Sequence, residues 1–290
     1  MIKDYFKRVT SLATKGQLIF WWILRLCMIF GVVYTLIMYA TGNETAKLLW
    51  ACPQMKTTVE NGVAVTTLST YNAVQMLANM VGLFAFEICQ MFPKNTYPRL
   101  MPAYFQNITA VGFFLASFGG AFFNFYYVIP FYDKILHCYG CAEAVFISYE
   151  LVTAMQKRDK KLCPGNIAAL AAFGMAFVFA AGWELFEFTT DQWFGFDAQH
   201  WNYINSLAEM NKTSISEIPL LFNLNAFTEN EQIMRFAVMD TMGDAVLNVL
   251  GAVPMYIFLR IKPYNHMGKK NVNKMIEAEL ANTTKETANA

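Results

Sequence analysis

Residues 167–189 read IAALAAFGMAFVFAAGWELFEFT. No charge occurs before Glu184, and the apolar residues surround the helix instead of forming one stripe. That pattern marks a helix buried on all sides or lying in lipid. The stretch is also long enough for the ~30 Å hydrocarbon core of a bilayer, which needs about 20 helical residues. It ends in Trp183, Glu184 and Glu187, so polar chemistry enters at one end of the span.

Comparable stretches occupy residues 17–40, 71–92, 102–128, 132–155 and 234–261. The expected fold is therefore all-α, a polytopic transmembrane helix bundle of about six spans filling residues 1–262. Residues 263–290 form a polar tail with at most a short helix at 272–281. Composition agrees: 56% of the 290 residues are apolar and 15% charged, and mean hydropathy is +0.31, against roughly 25% charged in soluble domains. A net charge of +1 without a basic, aromatic-interleaved stripe sets nucleic acid aside. Residues 1–16 are basic and precede an apolar run, but residues 17–40 exceed a signal-peptide core, so they read as a retained span. The six cysteines lie mostly in or beside apolar stretches, where Cys acts as a small hydrophobe, and form no disulfide framework.

Lysines and arginines set the orientation, because short cytoplasmic loops are enriched in them. Lys3, Lys7, Arg8 and Lys15 precede the first span, Lys94 and Arg99 follow the second, Lys157, Arg158, Lys160 and Lys161 follow the fourth, and Arg260 and Lys262 close the sixth. Residues 190–233 hold Asp191, Asp197, Glu209, Glu217, Glu229 and Glu231 against Lys212 alone. These counts place both termini in the cytoplasm and residues 190–233 outside. Localisation in a bacterial inner membrane is expected.

Charges inside spans cost roughly 2.5 to 3.5 kcal/mol each on insertion scales and tend to mark function. Asp133, His137 and Cys141 recur every fourth residue and share one face of the fourth span. Glu184, Glu187 and Asp191 share a face of the fifth. Asp240, Asp244 and Asn248 share a face of the sixth, and Gly251 extends it. In the derived orientation all three faces lie at the outer end, at similar depth. His137, Glu184, Glu187, Asp240 and Asp244 are the candidate catalytic or metal-ligating set, with Asp133, Asp191 and Asn248 in support. Asp133 and Lys134 taken alone read as a cap or an interfacial charge. Arg25 and Glu87, near the cytoplasmic side, read as a structural pair. Cys138 and Cys141 read as packing, not a zinc pair.

The combination Asp133-Lys134-x-x-His137, Trp183-Glu184-x-x-Glu187 and Asp240-x-x-x-Asp244-x-x-x-Asn248-x-x-Gly251-Ala252 resembles the YjdF-type family of bacterial inner-membrane proteins, and more distantly VanZ-like proteins. The resemblance covers about residues 130–260. It implies a multi-pass envelope protein; VanZ-like proteins are associated with glycopeptide-antibiotic tolerance, and no reaction is implied.

A divalent ion such as Mg, Mn, Fe or Zn is the cofactor expected of carboxylates gathered around one imidazole. Three functions stay open on these residues. One is a metal-dependent enzyme acting on a lipid or envelope precursor, with Glu184, Glu187, Asp240 and Asp244 as ligands or bases, His137 as ligand or shuttle, and Asp133 orienting it. There the aromatic stretch 193–203 would lie in the interface as a lid. The others are a cation transporter, against which the absence of an internal repeat speaks, and a non-catalytic envelope protein whose carboxylates fix the bundle.

Overall fold

The computed structural model describes residues 2–43, 55–60, 63–93, 96–123, 125–129, 131–159, 163–194, 198–199 and 229–261. The tail 263–290, most of the expected outer loop and most of the aromatic stretch 193–203 lie outside the described residues.

Among the described residues, six helical segments are long and apolar enough to cross a membrane: Lys15–Ala40, Tyr71–Met91, Phe105–Phe122, Tyr132–Gln156, Gly165–Trp193 and Asp240–Ile261. They present apolar side chains outward, such as Ile19 and Leu26 on the first and Leu170, Val178 and Leu185 on the fifth. Exposed apolar surface on this scale fits a lipid environment. One non-helical element was not expected. In the connection after the first span, strands β1 (Met55–Glu60) and β2 (Val63–Leu68) pair antiparallel. The Asn61-Gly62 pair between two Thr/Val-rich runs is the sequence signal for it.

A short helix α1 (Ile2–Leu12) precedes the first span, α2 (Lys15–Ala40). Between them Thr14 forms a capping box with Gln17: its hydroxyl accepts from the Gln17 N–H at 3.2 Å, and the Gln17 carboxamide accepts from the Thr14 N–H at 2.9 Å. Helix α1 turns back onto the end of the second span, where the Tyr5 hydroxyl donates to the Glu87 carbonyl at 2.8 Å and Arg8 donates to the Gln90 carbonyl.

The second span is discontinuous: α3 (Tyr71–Asn79), a 3₁₀ turn (Met80–Phe84) and α4 (Ala85–Met91). A broken helix in lipid needs partners for its freed backbone groups. Arg25 supplies two donors to the Leu83 carbonyl, at 3.0 and 2.6 Å. Gln106 accepts from the Phe86 N–H at 2.7 Å and donates to the Gly82 carbonyl at 3.3 Å. Arg25 also pairs with Glu87 at 2.6 Å, the structural pairing expected from the sequence. At Gly82 the Phe113 ring occupies the space where a Cβ would sit.

The third span is divided as well. Helix α5 (Phe105–Phe114) passes into a π-helical stretch (Leu115–Phe122), and the separate turn α6 (Phe125–Val128) follows. The Tyr132 hydroxyl donates to the Leu115 carbonyl at 2.9 Å, at the point where the winding changes.

The last three spans are long single helices: α7 (Tyr132–Asp159), α8 (Gly165–Phe194) and α9 (Glu229–Ile261). They share a core of small residues, among them Cys141, Ala168, Ala172, Ala176 and Ala252, which lets backbones approach closely. The tightest point is Gly251. A Cβ there would lie 1.8 Å from the Cys138 carbonyl oxygen, so α9 crosses α7 backbone to backbone. This crossing fixes how the polar turns of the two helices face each other.

Candidate functional site

Helix α7 begins after Phe131, whose φ of +57° is the only positive value among described non-glycine residues. A bulky side chain in the left-handed region is a local strain. It lies two positions before Asp133. The first turns of α7 then carry Asp133, Lys134 and His137 toward α9, where Asp240 and Asp244 stand one helical turn apart.

The centre of this arrangement is Lys134, 14% exposed. Its Nζ lies 2.6 Å from Asp244 Oδ1, 2.8 Å from Asp240 Oδ1 and 3.2 Å from Asp133 Oδ2. Asp244 is 1% exposed and Asp240 7%. Charge-assisted bonds of this length are the strong kind. In a low-dielectric setting they offset the repulsion between the carboxylates. Taken alone Lys134 reads as a cap or interfacial charge; among its neighbours it is the counter-ion of the cluster. The sequence signal was present, since Lys134, His137 and Cys141 also follow helical spacing and share a face.

His137 lies beside this ion cluster, with each ring nitrogen facing a different helix. Nε2 is 3.6 Å from Asp133 Oδ1 and 3.6 Å from Asp244 Oδ2, while Nδ1 is 3.8 Å from Glu184 Oε1 on α8. Asp133 and Asp244 therefore divide their oxygens, one toward Lys134 and the other toward the imidazole. Both Glu184 oxygens are buried without a hydrogen-bond donor among the described residues. Glu187, one turn on, accepts from Trp183 Nε1 at 2.7 Å.

Asp133, His137 and Asp244 each offer a donor atom within 4.8 Å of the other two. His137 Nε2 is 3.6 Å from both Asp133 Oδ1 and Asp244 Oδ2, close to the spacing of ligands held at ~2.0–2.2 Å by one zinc or other first-row divalent ion. The donor set therefore fits a divalent ion by geometry and by chemistry. Glu184, Glu187 and Asp240 lie around this trio rather than in it.

The supporting residues divide. Asn248 is buried one turn beyond Asp244. Asp191 instead anchors the chain after α8, its carboxylate accepting from the N–H groups of Ala198 at 2.8 Å and Gln199 at 2.9 Å. Gln199 in turn donates to the Glu184 carbonyl at 3.4 Å and the Thr241 hydroxyl at 3.1 Å, tying α8 to α9 beside the cluster. Gln199 and Thr241 carry no pattern that sequence reasoning could have used. Two further carboxyls of α7 face α5 and its approach: Glu143 against Gly112 and Thr109, and Glu150 against Tyr104.

Fold and cluster together define a polytopic helical membrane protein with an ionic site among its last three helices. The chain belongs to the DUF2238 family, described as predicted membrane proteins, whose profile matches residues 59–263. A protein of Thermotoga maritima, described as uncharacterized, is 40% identical over 120 residues, 40% of this chain and 60% of that protein. The alignment thus spans less than two thirds of that relative. No solved structure matches the chain.

Proposed function

We propose that the chain is a metal-dependent membrane enzyme that hydrolyses a lipid or envelope precursor at the outer surface of a bacterial inner membrane. The convergence of Asp133 Oδ1, His137 Nε2 and Asp244 Oδ2 carries this reading. Three protein donors leave a coordination position open, as catalytic rather than structural metal sites do. The ion would supply a Lewis acid that activates water. Glu184, 3.8 Å from His137 Nδ1, would orient the imidazole on closing to hydrogen-bond distance, the usual role of a carboxylate behind a metal-bound histidine. Glu187, held by Trp183, is the proton acceptor beside it. Asp240 acts with Lys134.

The outer location rests on the loop charges: the basic loops all fall at the end opposite the cluster if both termini are cytoplasmic. The YjdF-like motif order supports an envelope role, with the VanZ-like relation a more distant form of the same proposal. A cation path is less favoured. In the irregular stretches Met80–Phe84 and Leu115–Phe122, the Leu83, Gly82 and Leu115 carbonyls are bound by Arg25, Gln106 and Tyr132 instead of being left to coordinate a passing ion.

Metal analysis of the detergent-purified protein tests the centre. Roughly one divalent ion per chain is expected, with loss in H137A and D244N proteins that still fold. Hydrolysis of envelope lipid extracts that stops with chelator and returns with added Mn or Zn would support the reaction. A folded wild-type protein that takes up neither Mg, Mn, Fe nor Zn ends this reading.

A further inference from the structure

We propose that Lys134 lowers the negative charge of this centre and so biases it toward a divalent over a trivalent ion; the inference rests on the metal-centre reading above. Three observations meet at Lys134. Its ammonium holds the oxygens of Asp133 and Asp244 that point away from His137, leaving Oδ1 of Asp133 and Oδ2 of Asp244 facing Nε2. It is thus beside the candidate ion position and not in it. Its third partner, Asp240, bonds Lys134 at 2.8 Å and is absent from the converging trio.

Lys134 brings one positive charge into a centre lined by the carboxyl groups of Asp133, Asp240 and Asp244, with Glu184 on the far side of His137. Removing it makes the centre more negative by one charge. The change matters more here than in water, because Coulomb energies grow as the effective dielectric falls. A more negative site attracts a trivalent ion more strongly relative to a divalent one. Lys134 is accordingly a positioning residue that acts through Asp133 and Asp244, and Asp240 is the charge that balances it.

The test exploits that balance. Tb³⁺ luminescence, sensitised by nearby Trp183, is titrated against Mn²⁺ on full-length protein in detergent. In K134Q the preference for Tb³⁺ over Mn²⁺ should rise about tenfold or more relative to wild type. In the double variant K134Q/D240N, which removes one charge of each sign, the preference should return to within about threefold of wild type. K134R should keep it. A role in stability alone would lower both affinities together and leave their ratio unmoved.

A K134Q ratio equal to wild type, or a double variant that stays shifted, overturns the proposal while leaving the metal centre intact. Wild-type protein that binds neither ion overturns both. Should K134Q fail to fold, D240N decides: with one negative charge fewer its preference should move toward Mn²⁺ by about tenfold, and a ratio equal to wild type overturns the proposal.

Discussion

Replacing Gly251 by alanine should disable a site two turns away. The added Cβ would lie 1.8 Å from the Cys138 carbonyl oxygen, 2.7 Å from the carbonyl carbon and 3.0 Å from Cα, all backbone atoms that cannot rotate aside. An ordinary carbon–oxygen contact is about 3.3 Å, so α9 and α7 must part by about 1.5 Å. Overpacking of this kind costs about 1 to 3 kcal/mol. The same parting stretches the 2.6 Å Lys134–Asp244 bond and the 3.6 Å approach of Asp244 to His137, both of which span these two helices. A charge-assisted bond lost in the interior adds about 1.5 to 3 kcal/mol. G251A should therefore lose about 2.5 to 6 kcal/mol in total and bind the divalent ion much more weakly. Detergent thermal unfolding and metal titration on the same sample measure the two effects. A G251A protein with wild-type melting and wild-type ion affinity would show that the Gly251–Cys138 crossing does not set the cluster.

The other perturbations separate the site from its scaffold. Arg25→Met leaves the Leu83 carbonyl and Glu87 without their charged partner; it should destabilise by about 3 to 5 kcal/mol in denaturation assays, while any folded fraction keeps its ion stoichiometry. Asp191→Asn weakens the hold on the Ala198 and Gln199 N–H groups and should speed limited proteolysis after α8, with helix content by circular dichroism unchanged. Glu184→Gln should reduce ion affinity by about 10- to 100-fold, as loss of a carboxylate behind a metal-bound histidine does, with the melting temperature near wild type. Gln106→Leu strips the partners of the Phe86 N–H and Gly82 carbonyl and should lower stability by about 1 to 3 kcal/mol for each group orphaned, read by unfolding at constant metal load.

Much of the fold was legible because lipid imposes a simple rule on sequence. A span must be helical and apolar over a fixed length, so residues 167–189 announce one without any knowledge of their neighbours. Helical spacing also identified which carboxylates share a face. What escaped was local in another sense. Met80–Phe84 leaves the α-helix although its composition is that of a span, because Arg25 and Gln106 from other helices satisfy the Leu83 and Gly82 carbonyls. The paired strands Met55–Glu60 and Val63–Leu68 have no place in the expected all-helical bundle, although the Asn61-Gly62 dipeptide between them is a turn signal.

The sequence by itself determined the class of protein and the faces that carry charge, since each follows from periodicity within one helix. Only the tertiary structure decided that Lys134 sits among Asp133, Asp240 and Asp244, that Asp244 faces Nε2 while Glu184 faces Nδ1, and that Asp191 holds a loop. Lys134 and Asp244 are 110 positions apart. Their meeting depends on helix rotation and depth, which are set by side-chain packing and by the bare backbone at Gly251, and no pattern within a single helix encodes those.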